Sequence, residues 1–294
     1  MEKKSTIPLN LAFGQHGRRW REGVFCYPVI SRRSGGISIG INLNPDKACN
    51  FDCIYCQVDR KTPPTVRKVD LAVMRDELGA LLDSALDGSL FTAPPFAALG
   101  ADWRVVRDIA FSGDGEPTTF PDFEEAVRIA AEAKSRRRLN GAKLVLITDA
   151  CYLTRPNVAA ALRLFDQHHG EIWAKLDAGT EDYYQLVNRP NYPLRHVMEN
   201  ITAAAIDRPI VIQSLWMKVH NEEPPRAEIE AYCDRLSEVL SAGGKLKLIQ
   251  LYTIARQTTE SYATMLPDSS LDAIAAQVRS RLSAPVATYY GVEQ

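Results

Sequence analysis

Three cysteines fall within eight residues, Cys49, Cys53 and Cys56, in the segment Asn44-Pro45-Asp46-Lys47-Ala48-Cys49-Asn50-Phe51-Asp52-Cys53-Ile54-Tyr55-Cys56-Gln57. Thiolates spaced C-x3-C-x2-C can converge on one metal centre without help from the rest of the chain. A structural zinc site prefers four protein ligands, usually as two separated pairs. No fourth Cys or His lies close by; His16, Cys26 or His168/His169 would have to arrive from elsewhere. Electron-transfer clusters also usually take four cysteines, with other spacings. Three ligands therefore point to a [4Fe–4S] cluster with one iron open to an external ligand. The competing reading is three buried free thiols, since cysteine packs as a small apolar residue. A loop this rich in Asn, Asp and Lys, directly after a strand, fits that reading poorly. Cys26, Cys151 and Cys233 lack motif spacing and read as core thiols.

A second group of chemical residues recurs where apolar runs end. Ser112-Gly113-Asp114-Gly115-Glu116-Pro117-Thr118 follows a strand, and its two glycines permit close backbone approach. On its own this reads equally as an ordinary glycine-rich turn with Glu116 near a helix N-terminus. Thr148-Asp149, Lys175-Leu176-Asp177, Gln213-Ser214 and Gln250 each close an apolar run. Lys175 and Asp177 are two apart in a strand, so they face the same side, either towards a ligand or as a structural pair. Arg32 and Arg33 precede the first strand and either pair with acids in a cover or bind a phosphate or carboxylate. Arg18, Arg19 and Arg21 are further members of a possible basic rim. The run Lys134–Arg138 reads as a solvated helix end, where cations complement the dipole. His220-Asn221-Glu222-Glu223 reads as a polar loop.

The elements that must position these residues alternate. Strands at 37–41, 108–111, 144–147, 171–177, 209–215 and 246–252 alternate with helical patterns at 68–86, 122–138, 156–167, 181–187, 194–206, 225–241 and 269–283. A last short strand is expected at 286–290. Such alternation implies parallel pairing and right-handed crossovers. Six units suit an open doubly wound sheet or an incomplete barrel, and in both the ligands lie at the C-terminal strand ends. Residues 1–35 read as an irregular N-terminal segment, and 36–294 as one domain. The chain has 294 residues, 46% of them hydrophobic, with 35 Lys+Arg against 36 Asp+Glu. That composition excludes disorder and coiled coil, and a net charge of −1 gives no global attraction to nucleic acid. No apolar run approaches the roughly 20 residues of a membrane span, and no signal peptide is evident, so a cytoplasmic location is expected.

The cysteine loop, with aromatic Tyr55 before its third cysteine, resembles the signature of the radical S-adenosylmethionine (radical SAM) superfamily. Ser112–Thr118 resembles its GGEP motif, with Asp114 in place of the first glycine. The resemblance implies an α/β partial (β/α)6 TIM barrel with helices outside. It implies that Cys49, Cys53 and Cys56 bind three irons and that S-adenosyl-L-methionine (SAM) chelates the fourth. One electron then cleaves SAM to methionine and a 5′-deoxyadenosyl radical, which abstracts a substrate hydrogen. Tyr55, Gly113, Asp114, Gly115, Glu116, Thr148, Asp149, Lys175, Asp177 and Gln213 are the implied SAM-binding set. A flavodoxin or ferredoxin is the implied electron donor. Pro28–Arg33, Gly40-Ile41-Asn42, SGDGEPT and KLDAG are similar to the wyosine-synthesis-related branch over roughly 27–255, which makes tRNA one candidate substrate. Only Cys26 precedes the loop, so a second N-terminal cluster like that of the branch's tRNA enzyme is not expected. The alternatives are a tRNA-modifying enzyme of this type and a non-enzymatic Fe–S or zinc-binding protein.

Overall fold

Short aliphatic runs, apolar on both faces, make the strands of this chain, and amphipathic stretches between them make the helices. The computed structural model describes residues 23–291. One eight-stranded sheet runs in the order β1 (Cys26–Ser31), β2 (Gly36–Ile41), β3 (Val106–Phe111), β4 (Lys143–Thr148), β5 (Gly170–Lys175), β6 (Ile210–Leu215), β8 (Leu246–Tyr252) and β10 (Val286–Tyr289). From β2 to β10 every pairing is parallel; β1 alone is antiparallel. Between β6 and β8 the chain leaves the sheet for β7 (Met217–Val219), which pairs with β9 (Ala263–Met265). The parallel strands are linked through α1 (Leu71–Leu86), α2 (Phe123–Arg136), α3 (Pro156–Gln167), α4 (Glu181–Asn188), α5 (Leu194–Asp207), α6 (Arg226–Ser241) and α7 (Asp268–Arg281). Consecutive neighbours in space and in sequence curl this sheet into a half-barrel, an α/β partial TIM barrel as expected.

The large core lies between sheet and helices, and a small one lines the concave face. Ala110, Val145, Trp173 and Val211 fill that inner face at mid-strand height. Below them, at the N-terminal strand ends, Glu171 accepts from Lys143 and Lys247 at 2.7 Å each and from the Trp173 indole at 3.0 Å. The C-terminal ends are thus left as the open edge.

Two sequence expectations change. Residues 26–31, read as irregular, form the edge strand β1, where Pro28 is tolerated because an edge carries unpaired positions. The strand expected at 171–177 ends at Lys175; Leu176 donates to the Gln213 carbonyl and Asp177 turns beneath the edge. Arg18, Arg19, Arg21 and His16 lie outside the described residues. The Lys134–Arg138 run is bound to its own fold: Lys134 is buried and donates to the His168 carbonyl, and Arg137 pairs with Asp83 at 2.7 Å. No helix among the described residues is long and apolar enough to cross a membrane.

Candidate active site

The cysteine loop leaves the end of β2 and is clamped on both sides. Asn42 Oδ1 accepts from the amides of Asn44 at 3.0 Å and Asp114 at 3.1 Å, while its Nδ2 donates to Asp114 Oδ2 at 2.7 Å. The glycines of the next strand's turn let the two loops touch. A Cβ on Gly115 would stand 1.8 Å from the Ala48 carbonyl oxygen, and one on Gly113 would stand 2.3 Å from Asn42 Oδ1. On the other side, the Asp52 amide donates to the Asn188 carbonyl at 3.1 Å and the Ile54 amide to that of Val187 at 3.0 Å. The end of α4 therefore holds the middle of the loop.

Cys49, Cys53 and Cys56 open into one cavity of about 320 Å³. Gly113, Asp114, Gly115, Glu116, Thr148, Asp149, Lys175, Gln213 and Tyr55 line the same cavity. Of the sequence-derived set, Asp177 alone lies below it. The sulfurs have donors: Asn188 Nδ2 is 3.5 Å from Cys53 Sγ, the Val58 amide 3.5 Å from Cys56 Sγ, and Arg60 Nη2 3.9 Å from Cys56 Sγ. Burial pushes the Cys49 and Cys53 thiols up to about 12. Bound positive charge is what returns such thiols to the thiolate form that ligates metal. Three soft sulfurs with hydrogen-bond donors behind them fit an iron–sulfur cluster. Among the described residues no three His, Cys, Asp or Glu side chains close on a single ion. Cys26, a possible fourth zinc ligand, is instead buried against the Met74 carbonyl of α1.

The acids around the cavity have distinct jobs. Glu116 is buried, and its carboxylate accepts from Thr118, from Thr148 Oγ1 at 2.8 Å and from the Asp149 amide at 2.7 Å. It therefore ties the ends of β3 and β4 together, and burial raises its pKa despite these donors. Asp149 accepts from the Cys151 amide through Oδ1, while its buried Oδ2 has no partner. Burial first and Glu116 second raise the Asp149 pKa strongly. Asp177 accepts from the Tyr55 hydroxyl, from Asn188 Nδ2 at 3.0 Å and from the Leu215 amide at 2.8 Å. Lys175 Nζ is 3.3 Å from Asp177, 2.9 Å from the Tyr252 hydroxyl and 4.8 Å above the Tyr55 ring. Burial opposes its charge, but Asp177, Tyr252 and Cys53 outweigh burial and hold its pKa above the ordinary value. Lys175 is thus both a structural partner and a cavity wall. Gln213 donates to Gln250 Oε1 at 2.9 Å, and its own Oε1 is buried without a partner. Ser214 faces the other side of the sheet, on the Tyr232 hydroxyl.

A family model described as the radical SAM superfamily matches residues 43–231, more than half of the chain. The chain belongs to the radical SAM superfamily. Solved radical SAM structures share the fold at low identity: TYW1 with a lysine–pyruvate adduct bound, TM-score 0.51 and 14% identical, covers 85% of this chain and 74% of its own. SuiB of Streptococcus suis bound to S-adenosylmethionine gives a TM-score of 0.52 at 12% identity, covering 87% and 48%. A spore photoproduct lyase mutant gives 0.55 at 10%, covering 90% and 79%. Among curated proteins, one described as GTPase Obg of Brachyspira hyodysenteriae is 22% identical over 83% of this chain and 32% of its own length. A UPF0026 protein of Helicobacter pylori strain J99 is 26% identical over 59% of this chain and 49% of its own. The chain thus spans about a third to a half of the length of these curated relatives.

Several residues of this radical SAM site were not marked by the sequence. Tyr27, Asn188 and Tyr252 carry no motif, although Tyr252 shares the inward period of Gln250 on β8; Asn42 stands in the Gly40-Ile41-Asn42 segment of the resemblance, without a role assigned to it there. Tyr27 reaches the site because Gly40 has no side chain; a Cβ there would stand 2.4 Å from the Tyr27 ring. The basic rim also resolves differently: Arg32 and Arg33 line the cavity itself.

Proposed function

We propose that Cys49, Cys53 and Cys56 hold a [4Fe–4S] cluster and that SAM binds in the cavity they share with Gly113–Glu116, Thr148, Asp149, Lys175 and Gln213. When bound, the cluster supplies the electron that cleaves SAM reductively to methionine and a 5′-deoxyadenosyl radical for hydrogen abstraction from a substrate. The observation that carries this reading is the convergence of all three thiols and the glycine–acid turn on one cavity. Asn188 and the Val58 amide orient and stabilise the sulfurs at Cys53 and Cys56. Asp149 and Gln213 present buried, unpartnered oxygens as acceptors for donor groups of SAM. Glu116, in the cavity wall, fixes the strand ends, and Asp177, behind that wall, fixes the Tyr55 ring. The concave apolar layer around Trp173 excludes water from below, which protects a reactive radical from quenching.

Anaerobic reconstitution tests this assignment. The chain should take up about four irons and four sulfides, and with SAM and dithionite, standing in for a flavodoxin or ferredoxin, should release 5′-deoxyadenosine. Cys53→Ala should abolish the release. A chain that binds one zinc instead, or a Cys53→Ala variant with undiminished release, would sink the assignment.

A further inference from the structure

The cavity has a second end that the SAM chemistry does not use. The turn between β1 and β2 folds Arg33 inward, so that its guanidinium carbon lies 5.4 Å from the Trp173 ring centroid and 5.3 Å from that of Tyr252. Both aromatic partners are themselves fixed. The Trp173 indole donates to Glu171 at 3.0 Å, and the Tyr252 hydroxyl accepts from Lys175 at 2.9 Å.

None of the ion pairs among the described residues includes Arg33. The neighbouring cation, Lys175, is matched by Asp177 at 3.3 Å. Asp108 feels Arg33 electrostatically, but its carboxylate accepts its hydrogen bond from the Ser38 hydroxyl. The acids that line the cavity, Asp114, Glu116 and Asp149, belong to the cysteine-loop end, where Asn42, Thr148 and the Cys151 amide engage them. A guanidinium brings five N–H donors and no acceptor, and the aromatic contacts satisfy its faces while leaving its edge for a carboxylate or phosphate. Arg33 is half-buried against the cavity, and no carboxylate among the described residues closes on its guanidinium edge.

We propose that Arg33, held between Trp173 and Tyr252, binds an oxyanion of the substrate, a carboxylate or a phosphate. This assignment rests on the radical SAM reading of the cavity. It makes the substrate an anionic small molecule or an anionic group of a larger one, oriented with its charged end at Arg33 and its reacting carbon towards the cysteine loop. The structural alternative is an arginine that only cements the β1–β2 hairpin to the barrel through its aromatic contacts.

Phenylglyoxal labelling of the reconstituted full chain with SAM separates the two. Labelling at Arg33 is read by peptide mass spectrometry, with Arg226 on the outside of α6, 86% exposed, as the baseline. The probes are inorganic phosphate and acetate, each against chloride at equal ionic strength. At about four times its dissociation constant, a bound probe should slow Arg33 labelling about fivefold and leave Arg226 unchanged. Protection by phosphate alone marks a phosphorylated substrate, and protection by acetate alone a carboxylate. Equal labelling of Arg33 in phosphate, acetate and chloride would overturn the oxyanion site. Iron content and 5′-deoxyadenosine release on the same sample report on the cluster assignment separately. A chain that cleaves SAM with Arg33 unprotected loses this inference alone, whereas protection without SAM cleavage keeps the oxyanion site and removes its radical setting.

Discussion

At the scale of single residues, the site is supported by a buried relay that ends on Cys53, one of the three thiols proposed to hold the cluster. Lys175, Asp177, Tyr55 and Asn188 are joined by successive polar contacts, and Asn188 reaches Cys53 Sγ at 3.5 Å. Breaking a buried charge pair costs more than losing a neutral hydrogen bond, because the abandoned charge stays desolvated. Lys175→Met should therefore lower unfolding stability by about 3 kcal/mol, leaving Asp177 without its cation. Tyr55→Phe removes one hydroxyl from an Asp177 that keeps its other donors, and should cost about 1 kcal/mol. Urea titration of both variants gives the ranking, and equal losses would show that the Lys175–Asp177 pair contributes nothing beyond a hydrogen bond. The functional part of this relay was half legible. Tyr55, Lys175 and Asp177 lie at motif or strand-end positions, whereas Asn188 ends α4 with no spacing to mark it. Only the pairing of the cysteine loop with that helix end brings it to the sulfur.

At the scale of elements, the decisive contact is between two loops that follow neighbouring strands. Gly115 has a packing role that its resemblance to a ligand-binding motif concealed: its missing Cβ makes room for the Ala48 carbonyl, one residue before Cys49. Gly115→Ala places a methyl 1.8 Å from backbone, which cannot rotate away as a side chain can. The cysteine loop must then move, with a loss of about 1–3 kcal/mol. Iron bound per chain after reconstitution should fall with it, and wild-type iron content in this variant would refute the loop-to-loop account. The parallel strands were readable for a related reason. Runs such as Leu144–Ile147 and Ile210–Ile212 are apolar on both faces because helices cover one side and the barrel interior the other. Strand β1 was hidden because Pro28 argues against an interior strand and says nothing against an edge. β7 and β9, three residues each, owe their pairing to tertiary contact, and no three-residue period can announce that.

At the scale of the whole molecule, chemistry and stability occupy opposite ends of the barrel. The C-terminal edge keeps buried carboxylates whose pKa values burial raises, Glu116 and Asp149, at a cost in stability. The N-terminal edge does the reverse. Burial works against the Glu171 charge, but Lys143, Lys247 and the Trp173 indole outweigh it and hold its pKa down at about 2. A carboxylate depressed in the fold contributes stability above its unfolded pKa, about 4.3, and loses it as pH falls towards the folded value. Both lysines are partly exposed, so solvent screening reduces the contribution to about 2 kcal/mol. Glu171→Gln should therefore lower the urea midpoint at pH 7, and its stability should fall less steeply than wild type between about pH 4.5 and pH 2.5. Glu171 lies at the far end of β5 from Lys175, with the apolar layer between, so 5′-deoxyadenosine release below the unfolding transition should stay at the wild-type rate. A parallel acid profile in the two proteins would remove Glu171 as the anchor of that end. Lost SAM cleavage in a folded variant would show that the two ends are coupled through the Trp173 layer.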